Sequence, residues 1–203
     1  MPIPKKAILA SFIGLIIGAV ATTAVRYAVY KPDLVHYHAN FALYVNDKRD
    51  EFDGPGFYEE VSLCSSDQVD NPRTRVHLHD NNPGLVHVHA HGVTWGQLFD
   101  NLGYTVGMGV LRTTQTTYVD DQDGHKLTFW LNGKDVSDVS DKAIKSEDRL
   151  LISYGNENKD ALQKQFDATP KDAHKANRES DPATCSGTEK IGPKERFKHA
   201  LGW

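Results

Sequence analysis

The 203-residue chain has only two cysteines, Cys64 and Cys185, and they are too far apart for a C-x-x-C redox pair or a zinc knuckle. It has no phosphate-cradling P-loop, no G-x-G-x-x-G dinucleotide turn and no G-x-S-x-G nucleophile elbow. Those gaps set aside the common nucleotide-dependent and serine-hydrolase chemistries. Positive charge is not in excess either. Lys and Arg number 23 against 27 Asp and Glu, for a net charge of −4 and a pI near 6.2. A nucleic-acid partner needs a basic stripe, so none is expected.

Residues 1–30 contain the one long apolar run. Lys5 and Lys6 precede an uncharged stretch from Ala7 to Val25, and Arg26 ends it. As a helix this stretch spans roughly 28 Å, about one hydrocarbon core. The two lysines favour a cytoplasmic N-terminus. A cleaved signal peptide is the competing reading, because Ala19-Val20-Ala21 offers small residues to a peptidase. The apolar run continues past that site, which favours an uncleaved anchor. Either reading exports residues 31–203. Export in turn favours a Cys64–Cys185 disulfide. It would close a loop of about 120 residues, worth about 4–5 kcal/mol in the chain-entropy model, and staple the C-terminal tail. Free thiols, or thiolates on a metal, are the alternatives.

What the exported part has in abundance is histidine. Seven of the ten histidines lie between 36 and 91, all in H-x-H spacing. Side chains alternate along a strand, so such histidines share a face. In LVHYHANFALYVND (34–47), Val35, Tyr37, Ala39, Phe41, Leu43 and Val45 form one face, and His36, His38, Asn40, Ala42 and Tyr44 the other. In RVHLHDNNPGLVHVHAHGVTWGQLF (75–99), Val76, Leu78, Val86, Val88 and Ala90 point one way, and His77, His79, His87, His89 and His91 the other. Asn81-Asn82-Pro83-Gly84 reads as the turn of a hairpin. Pairing His79 with His87 sets His77 against His89, with opposed Cβ atoms roughly 4.5–5.5 Å apart. Next, Thr94-Trp95-Gly96-Gln97 fits a capping box, with a Val93–Leu98 staple and Gly103 as the C-terminal glycine. That predicts a helix over 94–102.

The remainder reads as short strands and turns. Asn46-Asp47 and Asn132-Gly133 are hairpin turns, and 126–131 and 148–155 are strands. Asp121-Gln122-Asp123-Gly124 matches part of a calcium loop, but the first and twelfth ligand positions are Val119 and Trp130, so it is a turn. FALYVNDK (41–48) and LTFWLNGK (127–134) share hairpin grammar rather than a repeat. A helix over 156–166 and an extended polar tail over 169–190 follow, with a last short helix from Pro193 to Leu201. The expected fold is α+β: a mixed or antiparallel sheet with a short packed helix, after one N-terminal transmembrane helix. The chain divides into an anchor (1–30), a histidine-rich domain (31–155) and a C-terminal helix and tail (156–203). From 76 onward, the order hairpin, helix, strand, strand and the ending NGK…DRLLISYG resemble the β-grasp arrangement of ubiquitin-like domains. The motifs HYHANFALYVN at 36–46, RVHLHDN…VHVHAHGVTWGQLF at 75–99 and DRLLISYG at 148–155 also resemble a family of small, membrane-anchored exported proteins from streamlined bacterial lineages. That resemblance covers nearly the whole chain and implies topology and domain extent, with no activity attached. The missing C-x-x-C argues against a disulfide-isomerase chemistry.

Three H-x-H elements on coherent strand faces point to a metal, because clustered imidazoles repel when protonated and need partners when buried. The expected ligands are His36, His38, His77, His79, His87, His89 and His91, with His91 peripheral and His125 an outside candidate. Asp80 is expected as an oxygen ligand or as a hydrogen-bond partner orienting an imidazole. The imidazole donor set and the extracytoplasmic address suit copper or zinc. Ligating imidazole must be neutral, so binding is expected to fade below about pH 6. The expected partners are thus a metal ion and, through the first helix, the membrane; no protein partner is legible. Two other readings stay open: a metal enzyme with Glu59, Glu60 or Asp80 as base, and an envelope interaction domain whose histidine face responds to pH.

Overall fold

Strand β1 (Tyr37–Val45) is buried on both faces along most of its length, and it sits at the centre of the sheet. A computed structural model describes residues 4–30, 35–59, 71–179 and 192–202. They form two compact units, residues 34–188 and residues 1–33 with 189–203. Cys64, Cys185 and Glu60 lie outside the described residues, and with them the expected disulfide.

In the larger unit, β1 pairs in parallel with β10 (Arg149–Gly155), Asn40 opposite Arg149 and Val45 opposite Tyr154. On its other edge β1 is antiparallel to β4 (Leu85–Val88). With β3 (Val76–Leu78), β8 (Lys126–Leu131) and β9 (Lys134–Val136), the order is β3-β4-β1-β10-β8-β9, and the short β2 (Lys48–Arg49) pairs with the end of β1. This is the expected α+β fold with a mixed sheet and a β-grasp-like centre. The grasp opens earlier than the sequence suggests, however. Its first strand is β1, its second is β4, and β3 is an added outer strand within a long insertion. Local pattern shows the 76–88 hairpin but is blind to a partner forty residues upstream. A smaller three-stranded sheet, β5 (Thr105–Gly107), β6 (Val110–Arg112) and β7 (Thr117–Val119), completes the strands among the described residues.

A central parallel pair must be covered on both faces. One face carries Phe41, Leu43, Leu150 and Ile152 into the main core with Phe52, Trp95, Leu98 and Phe99. The other carries Ala42, Tyr44 and Leu151 against Trp130 and Phe166. Toward the start of β1 this second face changes character and continues as buried Asn40 and His38. Helix α4 (Lys159–Ala168) and the short α5 (Ala173–Ala176) pack there. The stretch 169–179 is therefore seated on the domain instead of extending as a tail. Its apolar content does not explain this, but its hydrogen bonds do. The Arg149 guanidinium donates to the carbonyls of Phe166, Asp167, Thr169 and Pro170. Asn40 donates to Asp172 and accepts from Ala173 N–H at 2.9 Å.

A one-turn helix α2 (Pro72–Arg75) leads into β3, and helix α3 (Trp95–Asn101) follows its capping grammar. Thr94 Oγ1 accepts from Gln97 N–H at 3.3 Å, Gln97 Oε1 accepts from Thr94 N–H at 3.2 Å, and Gly103 takes φ +76°. Val93 and Leu98 are both fully buried, as the staple requires. Burying Trp95, Leu98 and Phe99 contributes about 1.5–3 kcal/mol each. Both hairpin turns have two consecutive positive-φ residues, Asn46-Asp47 and Asn132-Gly133. The aspartate stretch 121–124 is a turn in which Asp121 pairs with Lys126 at 2.7 Å.

Gly96 sits in the first turn of α3 with its N–H bonded to Ser140 O at 3.0 Å. A Cβ there would lie 2.6 Å from the same backbone oxygen. Helix propensity alone favours alanine over glycine by about 1 kcal/mol. The clash with backbone outweighs it, so Gly96→Ala should lower stability by about 2 kcal/mol. Urea denaturation checks this; an alanine variant as stable as the parent would show that the 139–143 segment yields freely.

Candidate metal centre

β1, β4 and β3 lie side by side, and the register lines up His38, His87 and His77 across them. The hairpin is two residues off the expected pairing: His77, not His79, faces His87. β3 ends at Leu78, and the chain reverses through Asp80 (φ 55°) and Asn81 (φ 52°), with Asn82 N–H bonded to His79 O at 2.9 Å. A shift of two leaves every side chain on its original face, so the histidines still converge.

Six rings form a closed circuit. Successive centroids lie 4.8 Å apart for His36–His38, 4.4 Å for His38–His87, 4.7 Å for His87–His79, 4.5 Å for His79–His77, 5.1 Å for His77–His89 and 4.7 Å for His89–His36. Within it, His36, His38 and His87 each offer a ring nitrogen within 4.8 Å of the other two, a group that could hold a metal ion. His38 Nε2 and His87 Nδ1 are 3.2 Å apart. A tetrahedral ion with metal–nitrogen bonds of about 2.0–2.1 Å sets its ligand nitrogens about 3.3 Å apart. That pair already has the required spacing.

The tautomers follow from the partners. Asn177 Oδ1 accepts from the His38 backbone N–H at 2.8 Å and lies 2.9 Å from His38 Nδ1. The backbone N–H can only donate, so the Asn177 oxygen is correctly placed and His38 Nδ1 carries the proton. His38 Nε2 then holds a lone pair, and without a metal His87 Nδ1–H donates to it. The Asn177 amide is held in turn by Ser146 Oγ at 3.1 Å. His77 is fixed the same way: its Nδ1 donates to Arg73 O at 2.6 Å, leaving Nε2 as acceptor. The Arg73 side chain is itself anchored on Glu59 at 2.9 Å and Asn101 O at 2.8 Å.

Other expected residues fall elsewhere. His91 is exposed beyond the end of β4, and Asp80 is exposed in the hairpin turn. His125 stacks on Tyr154 at 5.5 Å. Tyr154 neighbours Val45, seven residues along β1 from His38, or roughly 23 Å at strand rise. Glu59 is engaged with Arg73, and His174 pairs with Glu147 at 2.9 Å. Asn177 is the residue that the sequence does not reveal. It ends a four-residue helix in polar surroundings, with no local signal to mark it.

Burial is the largest cause of depressed basicity in this cluster. It lowers His77 to about 4, helped by the neighbouring His79 and His36 and opposed by the Arg73 carbonyl. It lowers His89 to about 3, with His77, His36, His79 and His38 adding to the effect. His87 is lowered further, by burial first and then by His38, His79, His77 and His89. Protons therefore reach these rings well below the ordinary imidazole value of 6.5. The unfolded chain takes up protons near pH 6.5 while the folded one does not, so metal-free stability is full above 6.5 and falls below it. The loss should approach about 1.4 kcal/mol per pH unit for each affected ring, down to about pH 4 for His77. Urea midpoints of the metal-free protein across that range check it, and a flat profile would show the rings to be solvated. The chain matches no family model, no curated protein and no solved structure, so what this site does is read from its own geometry.

Proposed function

We propose that this protein is an exported, membrane-tethered module that binds copper or zinc through His36, His38 and His87, for capture, delivery or sensing. The observation that carries the reading is the 3.2 Å separation of His38 Nε2 and His87 Nδ1, with His38 oriented by Asn177. Carboxamide-to-imidazole bonds of this kind fix a metal-binding histidine and raise its basicity. An all-imidazole donor set without thiolate suits Zn(II) and Cu(II). His38, His77, His79 and His87 are at most 5 % exposed, which favours holding an ion over turning over a substrate. For the tether, α1 (Lys5–Val29) is long and apolar enough to cross a membrane, and Lys5 and Lys6 favour a cytoplasmic start. The resemblance to small membrane-anchored exported proteins agrees with this topology.

Full-length protein purified without a histidine tag or nickel resin should carry metal stoichiometrically. His38→Gln or His87→Gln should lower affinity by at least about a hundredfold. Asn177→Ala keeps every ligand and should cost about 10- to 100-fold. His125→Gln and His174→Gln should leave affinity unchanged. Competition titrations on variants with parental circular dichroism measure these effects. Equal losses at His125 and His87 would mean surface adsorption and end the proposal.

A further inference from the structure

The smaller unit holds a second feature that the metal site does not use. Helix α6 (Pro193–Leu201) starts with proline in its first turn and stops at Gly202, φ +89°. It is docked on the last turn of α1. Arg26 Nη2 donates to His199 O at 2.9 Å, and Arg196 Nη1 donates to Tyr30 O at 3.1 Å. The Tyr30 and His199 rings stack at 4.0 Å, and Ala200 is buried. Phe197 and Leu201, one turn apart on one face, stay about half exposed, at 54 % and 50 %.

We propose that α6 lies in the membrane interface beside α1, with Phe197 and Leu201 inserted among lipid chains. This rests on the reading of α1 as a membrane-crossing helix. The position follows from length. The apolar run of α1 ends at Val25, and α6 touches Arg26 and Tyr30, immediately past that end. Whatever lipid covers the exposed Ile16, Ile17, Val20 and Val25 of α1 therefore ends at the level of α6. An amphipathic helix there buries its apolar face at the boundary of headgroups and chains. Lys194, Arg196 and Lys198 suit the phosphate level, and Tyr27 and Tyr30 belong to the aromatic belt of such a boundary.

Full-length protein in phosphatidylcholine–phosphatidylglycerol vesicles tests this by tryptophan quenching with brominated lipids. Trp203→Phe serves as background, since Trp95 and Trp130 are buried and contribute a constant signal. On that background, Phe197→Trp should emit at blue-shifted wavelength. It should lose most of its added emission to bromines placed shallowly in the chain, and less to bromines placed deep. Leu201→Trp, made separately, should behave alike. Leu15→Trp, midway along α1, should be quenched best by deep bromines. If Leu15→Trp is quenched while both α6 reporters emit as in water, the interfacial helix is refuted and the anchor stands. If Leu15→Trp is not quenched, the anchor and this inference both fall.

Discussion

The carboxamide of Asn177 bonds both the backbone and the ring of one histidine, and the geometry of the candidate metal centre depends on that contact. Its oxygen accepts from His38 N–H and from Nδ1–H. One residue thereby fixes the ring's rotation, its tautomer and the direction of its remaining lone pair. Neither strand pairing nor burial could do all three. Pairing puts His38 opposite His87, but an imidazole can turn over in place. Burial disfavours the charged ring without choosing between the two neutral forms. Asn177 is in position because Arg149, at the start of β10, gathers the carbonyls of Phe166, Asp167, Thr169 and Pro170, and Asn40 holds Asp172 and Ala173. The same sheet that supplies the candidate ligands thus supplies the clamp that orients His38.

A face built this way sacrifices core. On the opposite side of β1, Phe41 and Leu43 gain full apolar burial, whereas His38 and Asn40 on this side must be matched by hydrogen bonds. A buried polar group left without partners costs free energy comparable to a lost hydrogen bond. His89 Nε2 is such an atom: it is buried and has no hydrogen-bond partner among the described residues. Crowding the rings together also disfavours protonation of His77, His87 and His89, each burdened by its imidazole neighbours as well as by burial. Such a surface is hard to explain as packing. The second core of Ala42, Tyr44, Leu151, Trp130 and Phe166 shows what packing alone builds on the same face.

Much of this was legible in the sequence, and the pattern of misses is physical. Period-two alternation marked which side of β1 and of the hairpin each histidine would take, because that depends on parity alone. The capping box of α3 and the two positive-φ hairpin turns were equally local and equally clear. The pairing of His77 with His87 was not legible, since it depends on how the loop from Asp80 to Gly84 closes. Nor was β1 as the opening strand of the grasp, which is a contact across forty residues. The 169–179 segment looked like a tail because its composition is polar; what seats it is Arg149, whose guanidinium is indistinguishable in sequence from any strand-end arginine. Asn177 belongs to that same class of long-range polar contacts.

The donor set also bears on which ion such a site prefers. Neutral imidazoles bring no charge, so an ion entering this buried cluster loses hydration without gaining a carboxylate or thiolate. Compensation must come from dipoles. His38 gives its Nδ1 proton to the carbonyl oxygen of Asn177, which polarises the ring toward Nε2. That arrangement rewards metals forming strong bonds to imidazole nitrogen and gives little to hard cations such as calcium or magnesium, which need oxygen ligands. Selectivity in this reading comes from withholding anionic oxygen as much as from offering nitrogen, and the exposed position of Asp80, outside the ring circuit, is consistent with that.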